Sequence, residues 1–284
     1  MRASPVLAAV IAVACGREPA PATPSARAVV ARPEVSSPRG SDPAAATAPA
    51  PDRFEPSGPP QLVTAEAALW ADATRGIVAR APRDPSTGAI GEARVVARDR
   101  RAPAHLARED DGDLYWVEYR REDARCDFVR LPATPEARPE LLFEEDLGDF
   151  SELACETDLA VDPTRLYWLH GSEVRSASHA ASPVAIGTLA RGERFPREIA
   201  VDATHVYWTV MGADPYEDDL TGRGALRALR IPQAGPAGAR ARSLAAGLTE
   251  PSDLTIDGSR ITLREVGGAG EALRSYPAVG AQSF

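Results

Sequence analysis

The stretch Ile199-Ala200-Val201-Asp202-Ala203-Thr204-His205-Val206-Tyr207-Trp208-Thr209 contains two apolar runs separated by polar residues that begin with Asp202. Short apolar runs bounded by turn signals are typical of buried β-strands. Aspartate favours the start of a turn, because its carboxylate accepts hydrogen bonds from backbone N–H groups two residues further on. The stretch therefore predicts a β-hairpin of strand, tight turn and strand.

Copies of this hairpin recur along the chain at the tryptophans. An aspartate stands six residues before Trp208, Trp168 and Trp116 (208 − 6 = 202, 168 − 6 = 162, 116 − 6 = 110), and a tyrosine directly precedes each of the three. Weaker copies are centred on Trp70 and Leu263. The five anchors are separated by 46, 52, 40 and 55 residues (116 − 70, 168 − 116, 208 − 168 and 263 − 208). These spacings are close to the period of propeller blades, about 40 to 50 residues.

Further strand patterns follow each anchor. Third strands are predicted at Gly76–Ala81, Cys126–Pro132, Glu173–Ser178, Gly224–Ile231 and Glu271–Pro277, and fourth strands at Ala93–Ala97, Glu140–Phe143, Val184–Gly187 and Arg242–Ala245. Four short antiparallel strands per repeat define a propeller blade. We therefore predict an all-β fold, a β-propeller of about five four-stranded antiparallel blades over residues 61–284. Blade 5 has too few residues after its third strand for a full outer strand. A β-sandwich with chance Tyr-Trp pairs is the alternative.

Two of these copies resemble a known repeat. Ile199–Thr209 and, almost as well, Leu159–Trp168 are similar to the repeat of YWTD-type β-propellers, which are related in style to NHL propellers. The resemblance covers about residues 61–277 and implies six blades, where five anchors are counted here. The family's aspartate after Tyr-Trp-Thr is replaced by Val210 in blade 4 and is kept only as Asp72 in blade 1.

The N-terminal residues predict export. Arg2 is followed by the apolar run Val6–Ala14, which has the length of a signal-peptide core and is too short for a permanent membrane span. Ala12-Val13-Ala14-Cys15-Gly16 resembles a bacterial lipobox, which implies lipidation of Cys15. We expect residues 1–14 to be a signal peptide and the chain to be a lipoprotein of the outer membrane or periplasm, with secretion as the alternative.

Residues 15–60 predict a tether between this anchor and the propeller domain at 61–284. The segment is rich in proline and alanine and has few large apolar side chains. Such a composition cannot bury enough apolar surface to offset the entropy lost on ordering, so we expect a disordered linker.

Composition narrows the class of protein further. The 284 residues carry a formal net charge of −9, which argues against nucleic acid as a partner. The chain contains no lysine and no asparagine, so all 32 basic residues are arginines, as expected for a high-GC bacterium. A Schiff-base lysine is thereby excluded.

Acidic loops are the candidate binding residues. Asp214, Glu217, Asp218 and Asp219 lie in an insertion between the second and third strands of blade 4, and the run 144–149 connects blades 2 and 3. In a propeller both kinds of connection emerge on the same face. Clustered carboxylates suit Ca²⁺, a hard cation that prefers oxygen ligands. The spacing does not match a Ca²⁺-binding loop, so a solvated loop is the alternative, and no other cofactor is predicted.

Cys126 and Cys155 are predicted to form a disulfide. An exported protein folds in an oxidising compartment, and an even number of cysteines remains once Cys15 is set aside. Two free buried thiols are the alternative.

The sequence favours a non-enzymatic binding or scaffold propeller displayed on the cell envelope. Its partner, a protein or a glycan, is expected on the face that carries the long loops, with the chain monomeric and attached to the membrane through its lipid. One alternative is a metal-dependent, lactonase-like hydrolase, which would need carboxylate or imidazole ligands at the central channel, where the inner strands offer mainly Ala, Val and Leu. A carbohydrate-binding propeller with aromatic pockets is the other.

Overall fold

The computed structural model describes residues 53–109, 112–146, 158–180, 184–213, 221–231, 240–267 and 270–279. These ranges belong to the compact unit Pro49–Phe284, and the other unit of the chain is Met1–Ala48. In the described ranges all regular secondary structure is β, and no helix there is long and apolar enough to cross a membrane. Cys15, the signal peptide and most of the predicted tether lie outside the described residues.

The described strands form five antiparallel sheets in which strands pair in the order of the sequence. They are β1 (Leu62–Val63), β2 (Ala67–Asp72), β3 (Ile77–Pro82), β4 (Arg94–Ala97), β5 (Pro103–Arg108), β6 (Leu114–Arg120), β7 (Arg125–Leu131), β8 (Glu140–Asp146), β9 (Leu159–Asp162), β10 (Arg165–His170), β11 (Glu173–Ser178), β12 (Ile186–Ala190), β13 (Pro196–Val201), β14 (His205–Val210), β15 (Gly224–Arg230), β16 (Arg242–Leu248), β17 (Pro251–Asp257), β18 (Arg260–Gly267) and β19 (Gly270–Pro277). Blades 1 to 4 take four consecutive strands each, and blade 5 takes β17–β19. The predicted five-bladed propeller is confirmed, with three rather than four described strands in blade 5.

The repeated aspartate holds the first hairpin of a blade together. Asp202 Oδ1 accepts hydrogen bonds from the backbone N–H groups of Thr204 (2.7 Å) and His205 (2.8 Å), which closes the turn. Its Oδ2 accepts the hydroxyl of Tyr207 at 2.7 Å. Asp162 makes the same contacts in blade 3, with Tyr167 as hydroxyl donor at 2.5 Å. In blades 3 and 4 the recurring Asp and Tyr of the repeat are therefore hydrogen-bonded to each other.

The tryptophans fill the spaces between blades. Trp116, Trp168 and Trp208 are completely buried, each among apolar residues of its own blade and of the blade before it. Between blades 2 and 3, for example, Phe128 packs against Trp168 with ring centroids 4.9 Å apart. Truncating one large buried aromatic side chain typically costs about 3–5 kcal/mol. These interfaces therefore hold the blades in order.

The two ends of the blade series are finished differently. None of the five apolar clusters of described residues joins blade 5 to blade 1. The outer face of blade 1 packs against Phe54, whose ring centroid is 6.3 Å from that of Trp70, and Trp70 Nε1 donates to the carbonyl of Gly58 at 3.1 Å. The corresponding face of blade 5 is mainly polar, with the hydroxyls of Thr255 and Thr262 2.6 Å apart. Residues 53–61 thus cap blade 1.

Candidate functional site

One face of the propeller collects the connections between blades. Backbone hydrogen bonds join the turn between second and third strands to the connection that enters the next blade. Arg100 N donates to Gly76 O (3.0 Å), and Glu193 N donates to Ser172 O (3.0 Å). In blade 4 the turn also contacts the connection that enters its own blade, because Gly212 N donates to Arg194 O at 3.1 Å. The structure thus places both kinds of loop on one side, which we call the connection face.

The predicted ligands Asp214, Glu217, Asp218 and Asp219 lie outside the described residues, so their role stays a prediction. The ends of their loop are described and sit on the connection face. Gly212 has φ of +72°, and a Cβ built on it would be 1.7 Å from the carbonyl oxygen of Arg223. A larger residue does not fit there, so a glycine at this position keeps the two ends of the loop in contact.

The acidic run 144–149 was predicted to connect blades 2 and 3, but its described residues, 144–146, belong to β8, the last strand of blade 2. Glu144 accepts hydrogen bonds from Arg120 (2.9 Å) and Arg125 (2.7 Å), and Arg120 also binds Asp123 at 2.8 Å. These bonds from Arg120 and Arg125 lower the pKa of Glu144. Nowhere in the described ranges do three or more His, Cys, Asp or Glu side chains come together as metal ligands.

Glu145, the next residue, points the other way, into the interface between blades 2 and 3. It is 5% exposed and accepts the indole N–H of Trp168 at 2.6 Å. Arg175 pairs with the same carboxylate, and His170 Nδ1 lies 3.6 Å from it. Burial lowers the pKa of His170. Because the Trp168 indole and the cationic Arg175 guanidinium both donate to the carboxylate, this buried charge is compensated.

Glu118 has the same structural role as Glu145, in the interface between blades 1 and 2. It is 2% exposed and accepts the indole N–H of Trp116 at 2.6 Å and the Arg100 Nε–H at 2.5 Å. Arg100 comes from the connection between these blades, so the contact links the connection face to the interior. No pattern in the sequence predicted Glu118 or Glu145 as buried partners of the tryptophans.

A second set of carboxylates ties neighbouring inner strands together. Asp158 accepts hydrogen bonds from Ile199 N of blade 4 and from Leu159 N, both at 3.0 Å. Glu198 in turn accepts from Asp253 N (2.8 Å) and Leu254 N (2.6 Å) of blade 5. The inner strands of blades 4 and 5 are bulged between Pro196 and Ile199 and between Ser252 and Thr255, next to the backbone N–H groups that these carboxylates bind.

Sequence reasoning missed these residues, although a positional signal exists. Asp158, Glu198 and Asp253 each stand ten residues before an anchor (168 − 10, 208 − 10 and 263 − 10). The expectation that the inner strands offer mainly Ala, Val and Leu was wrong at this level. Asp253 is exposed and pairs with Arg264 at 2.8 Å.

Cys126 lies in β7 and is 1% exposed. Its predicted partner Cys155 lies outside the described residues, so the disulfide stays a prediction.

Comparison with known proteins gives fold-level similarity alone. No protein-family model matches the chain, and neither does any curated protein. Similar solved structures include a protein from Lactobacillus plantarum (14% identity, 77% of this chain and 69% of that one, TM-score 0.45). A candidate 6-phosphogluconolactonase from Bacteroides uniformis matches with 8% identity over 77% of this chain and 65% of that one, at TM-score 0.48. The β-propeller domain of the Trilobed protease from Pyrococcus furiosus matches with 8% identity over 74% of this chain and 63% of that one, at TM-score 0.41. At such similarity nothing about the activity of this chain follows.

We expect Glu145 and Glu144 to respond differently to truncation. Glu145→Ala leaves Arg175 and the Trp168 indole N–H without their buried acceptor, so the free energy of unfolding should fall by about 3–5 kcal/mol. Glu144→Ala removes only exposed ion pairs and should leave the free energy of unfolding nearly unchanged. Urea denaturation of both variants measures the difference. Equal losses would contradict the structural role assigned to Glu145.

Asp158 should make stability depend on pH. Burial raises its pKa from 3.8 to about 6, and Glu198 adds to the effect, against the opposing hydrogen bonds from Ile199 and Leu159. Between pH about 4 and 6 the folded state therefore keeps a proton that the unfolded chain has released. Its contribution to stability is present at low pH and is lost as the pH rises through this window. Wild type should thus lose stability relative to Asp158→Asn between pH 4 and 6, as urea denaturation would show.

The comparison with the variant removes a competing trend. Burial lowers the pKa of His105 to about 4, which by itself makes the protein less stable as the pH falls from 6.5 towards 4. That trend is common to wild type and Asp158→Asn and cancels in their difference. Parallel stability curves for the two proteins would contradict the assignment to Asp158.

Proposed function

We propose that this protein is a non-enzymatic binding or scaffold propeller of the bacterial cell envelope, with a lipid on Cys15 and a partner on the connection face. The observation that carries the proposal is the engagement of the inner-strand carboxylates. Asp158 and Glu198 each accept two backbone N–H groups, within and between blades 3 to 5. Groups that a metal-dependent hydrolase would need as open ligands thus serve here as ties between strands.

The aromatic residues support a scaffold role in the same way. Tyr115, Tyr167 and Tyr207 and the tryptophans that follow them are 0% exposed. A carbohydrate-binding surface needs exposed aromatic faces on which sugars stack. The recurring Tyr-Trp pairs therefore support blade packing, and the YWTD-like repeat is the family type that we infer for the scaffold.

The connection face suits a partner because its loops vary in length, while the turns between first and second strands on the opposite face are short and alike. Loops on rigid scaffolds commonly carry binding. The blade 4 insertion with Asp214, Glu217, Asp218 and Asp219 is held at its base by the close contact of Gly212 and Arg223. These four carboxylates are our candidates for contact with a partner protein or Ca²⁺.

The test removes these four carboxylates together by substitution with serine. A matched variant changes four exposed carboxylates of the opposite face to serine, namely Glu66, Glu92, Glu136 and Asp257. Ca²⁺ binding by calorimetry, and cross-linking to envelope proteins in the source cells, should be lost with the first variant and kept with the second. Thermal stability without ligand should stay nearly constant in both.

Loss of binding in the matched variant alone would mean that the binding site lies on the opposite face and not on the connection face. Equal Ca²⁺ binding and equal cross-linking by the two variants would show that the blade 4 insertion does not form the binding site. Stoichiometric metal in the purified protein, together with lactone hydrolysis that Asp158→Asn abolishes, would replace the scaffold function with the hydrolase alternative.

Lipid anchoring is tested separately. Cys15 is the residue that the lipobox-like stretch marks for modification, so Cys15→Ser should move the protein from the membrane fraction to the soluble fraction. Cell fractionation followed by immunoblotting measures this shift. Unchanged fractionation of the variant would show that the membrane is not reached through this cysteine.

A further inference from the structure

Leu273 is exposed at a position that is buried in every other blade. On the third strand of each blade, one residue pairs with the anchor of the second strand, and the residue directly before it is apolar. In blade 5 this apolar residue is Leu273. Its counterparts are Val78, Phe128, Val174 and Leu226. These four are 0% or 1% exposed, whereas Leu273 is 77% exposed.

In blades 1 to 4 an outer strand covers this position in a constant way. Each outer strand has a bulge there, and the bulged residue and its successor are both apolar and pack into the cluster between blades. The successor is the residue that pairs with the buried apolar residue of the third strand. The pairs are Val96-Ala97, Leu142-Phe143, Leu189-Ala190 and Leu244-Ala245.

Blade 5 offers a regular edge where the other blades have this outer strand. β19 pairs with β18 over eight residues without a register shift, and no other described strand pairs with it. Seven of its eight residues are exposed, Tyr276 being the half-buried one. Bulges commonly protect sheet edges against the addition of a further strand, and a long regular edge without one can accept an extended peptide.

We propose that β19 is a docking site for an extended segment of a partner polypeptide, which adds antiparallel as the fourth strand of blade 5 and covers Leu273 with two consecutive apolar residues. Charge has little part in the selection, because the charges that flank Leu273 are already matched. Arg274 pairs with Glu265 (2.8 Å), and Arg264 pairs with Asp253 (2.8 Å). The consecutive apolar pair is then the feature that a partner segment must supply.

The probe is a capped synthetic peptide with the sequence of β8, Glu140–Asp146, which contains the pair Leu142-Phe143. Added to the full chain, it should slow hydrogen exchange of the β19 amides, while a control peptide with both apolar residues replaced by serine should not. Leu273→Ser should weaken peptide binding about tenfold or more, as expected when one leucine side chain is no longer buried.

The matched protein variant is Leu141→Ser. Leu141 is 55% exposed and lies on β8, an outer strand that has a bulge, so its loss should leave peptide binding unchanged. Both leucines are exposed, and neither substitution should change the thermal midpoint of unfolding.

Four results would overturn the proposal. Slow exchange, in the protein alone and at every concentration, of the β19 amides that do not bond to β18 would mean that the same chain covers this edge. Protection that grows with protein concentration, together with a dimer in solution, would make a second copy the occupant. Equal binding of the two peptides, or equal effects of Leu273→Ser and Leu141→Ser, would show that Leu273 does not select the segment.

Discussion

Each blade presents two faces that it cannot cover by itself, and the neighbouring blades have to cover them. Repeat architectures in general derive their stability from such nearest-neighbour contacts. Here the indole rings of Trp116, Trp168 and Trp208 are completely buried and are the largest side chains in the contacts between blades. The first hairpin of a blade has to place its tryptophan against the apolar residues of the preceding blade. The contacts of Asp162 and Asp202 stabilise that hairpin in blades 3 and 4.

A buried indole brings a polar N–H into an apolar interface, and its acceptor has to be buried with it. Glu118 and Glu145 solve this for blades 2 and 3, and an arginine then balances each carboxylate. Blade 4 differs, because the indole N–H of Trp208 has no hydrogen-bond partner in the described part of the chain. A buried donor without a partner typically costs about 1–3 kcal/mol. The blade 4 interface therefore depends more on apolar packing than the two before it.

Local patterns predicted the blades well because each strand is defined by its own sequence and turn. Glu173–Ser178, for example, was predicted as a third strand and is β11 with the same bounds. The first strand of blade 2, Pro103–Arg108, ends in a charged residue and carries a weaker strand pattern than the others. Pairing with β6 stabilises it, and that contribution is invisible in the strand's own residues.

The buried polar contacts were harder to predict, since they join residues from different blades. Glu144 and Glu145 are adjacent and chemically identical, yet one lies in solvent among arginines and the other under Trp168. Alternation along β8 separates them, and only the neighbouring blade decides which side is buried. Asp158 and Glu198 stand at a constant distance from their anchors, but their acceptor role depends on bulges that no residue pattern marks.

The unequal ends of the blade series have a consequence for how the molecule comes apart. Among the described residues, blades 2, 3 and 4 each have an apolar cluster shared with a neighbour on both sides, whereas blades 1 and 5 share such a cluster on one side only and blade 1 also has a cap. In a linear array of coupled units the terminal unit with the fewest contacts opens most easily. Fraying should therefore start at blade 5 and travel inward, so that the domain behaves as a cooperative stack with a preferred direction of melting.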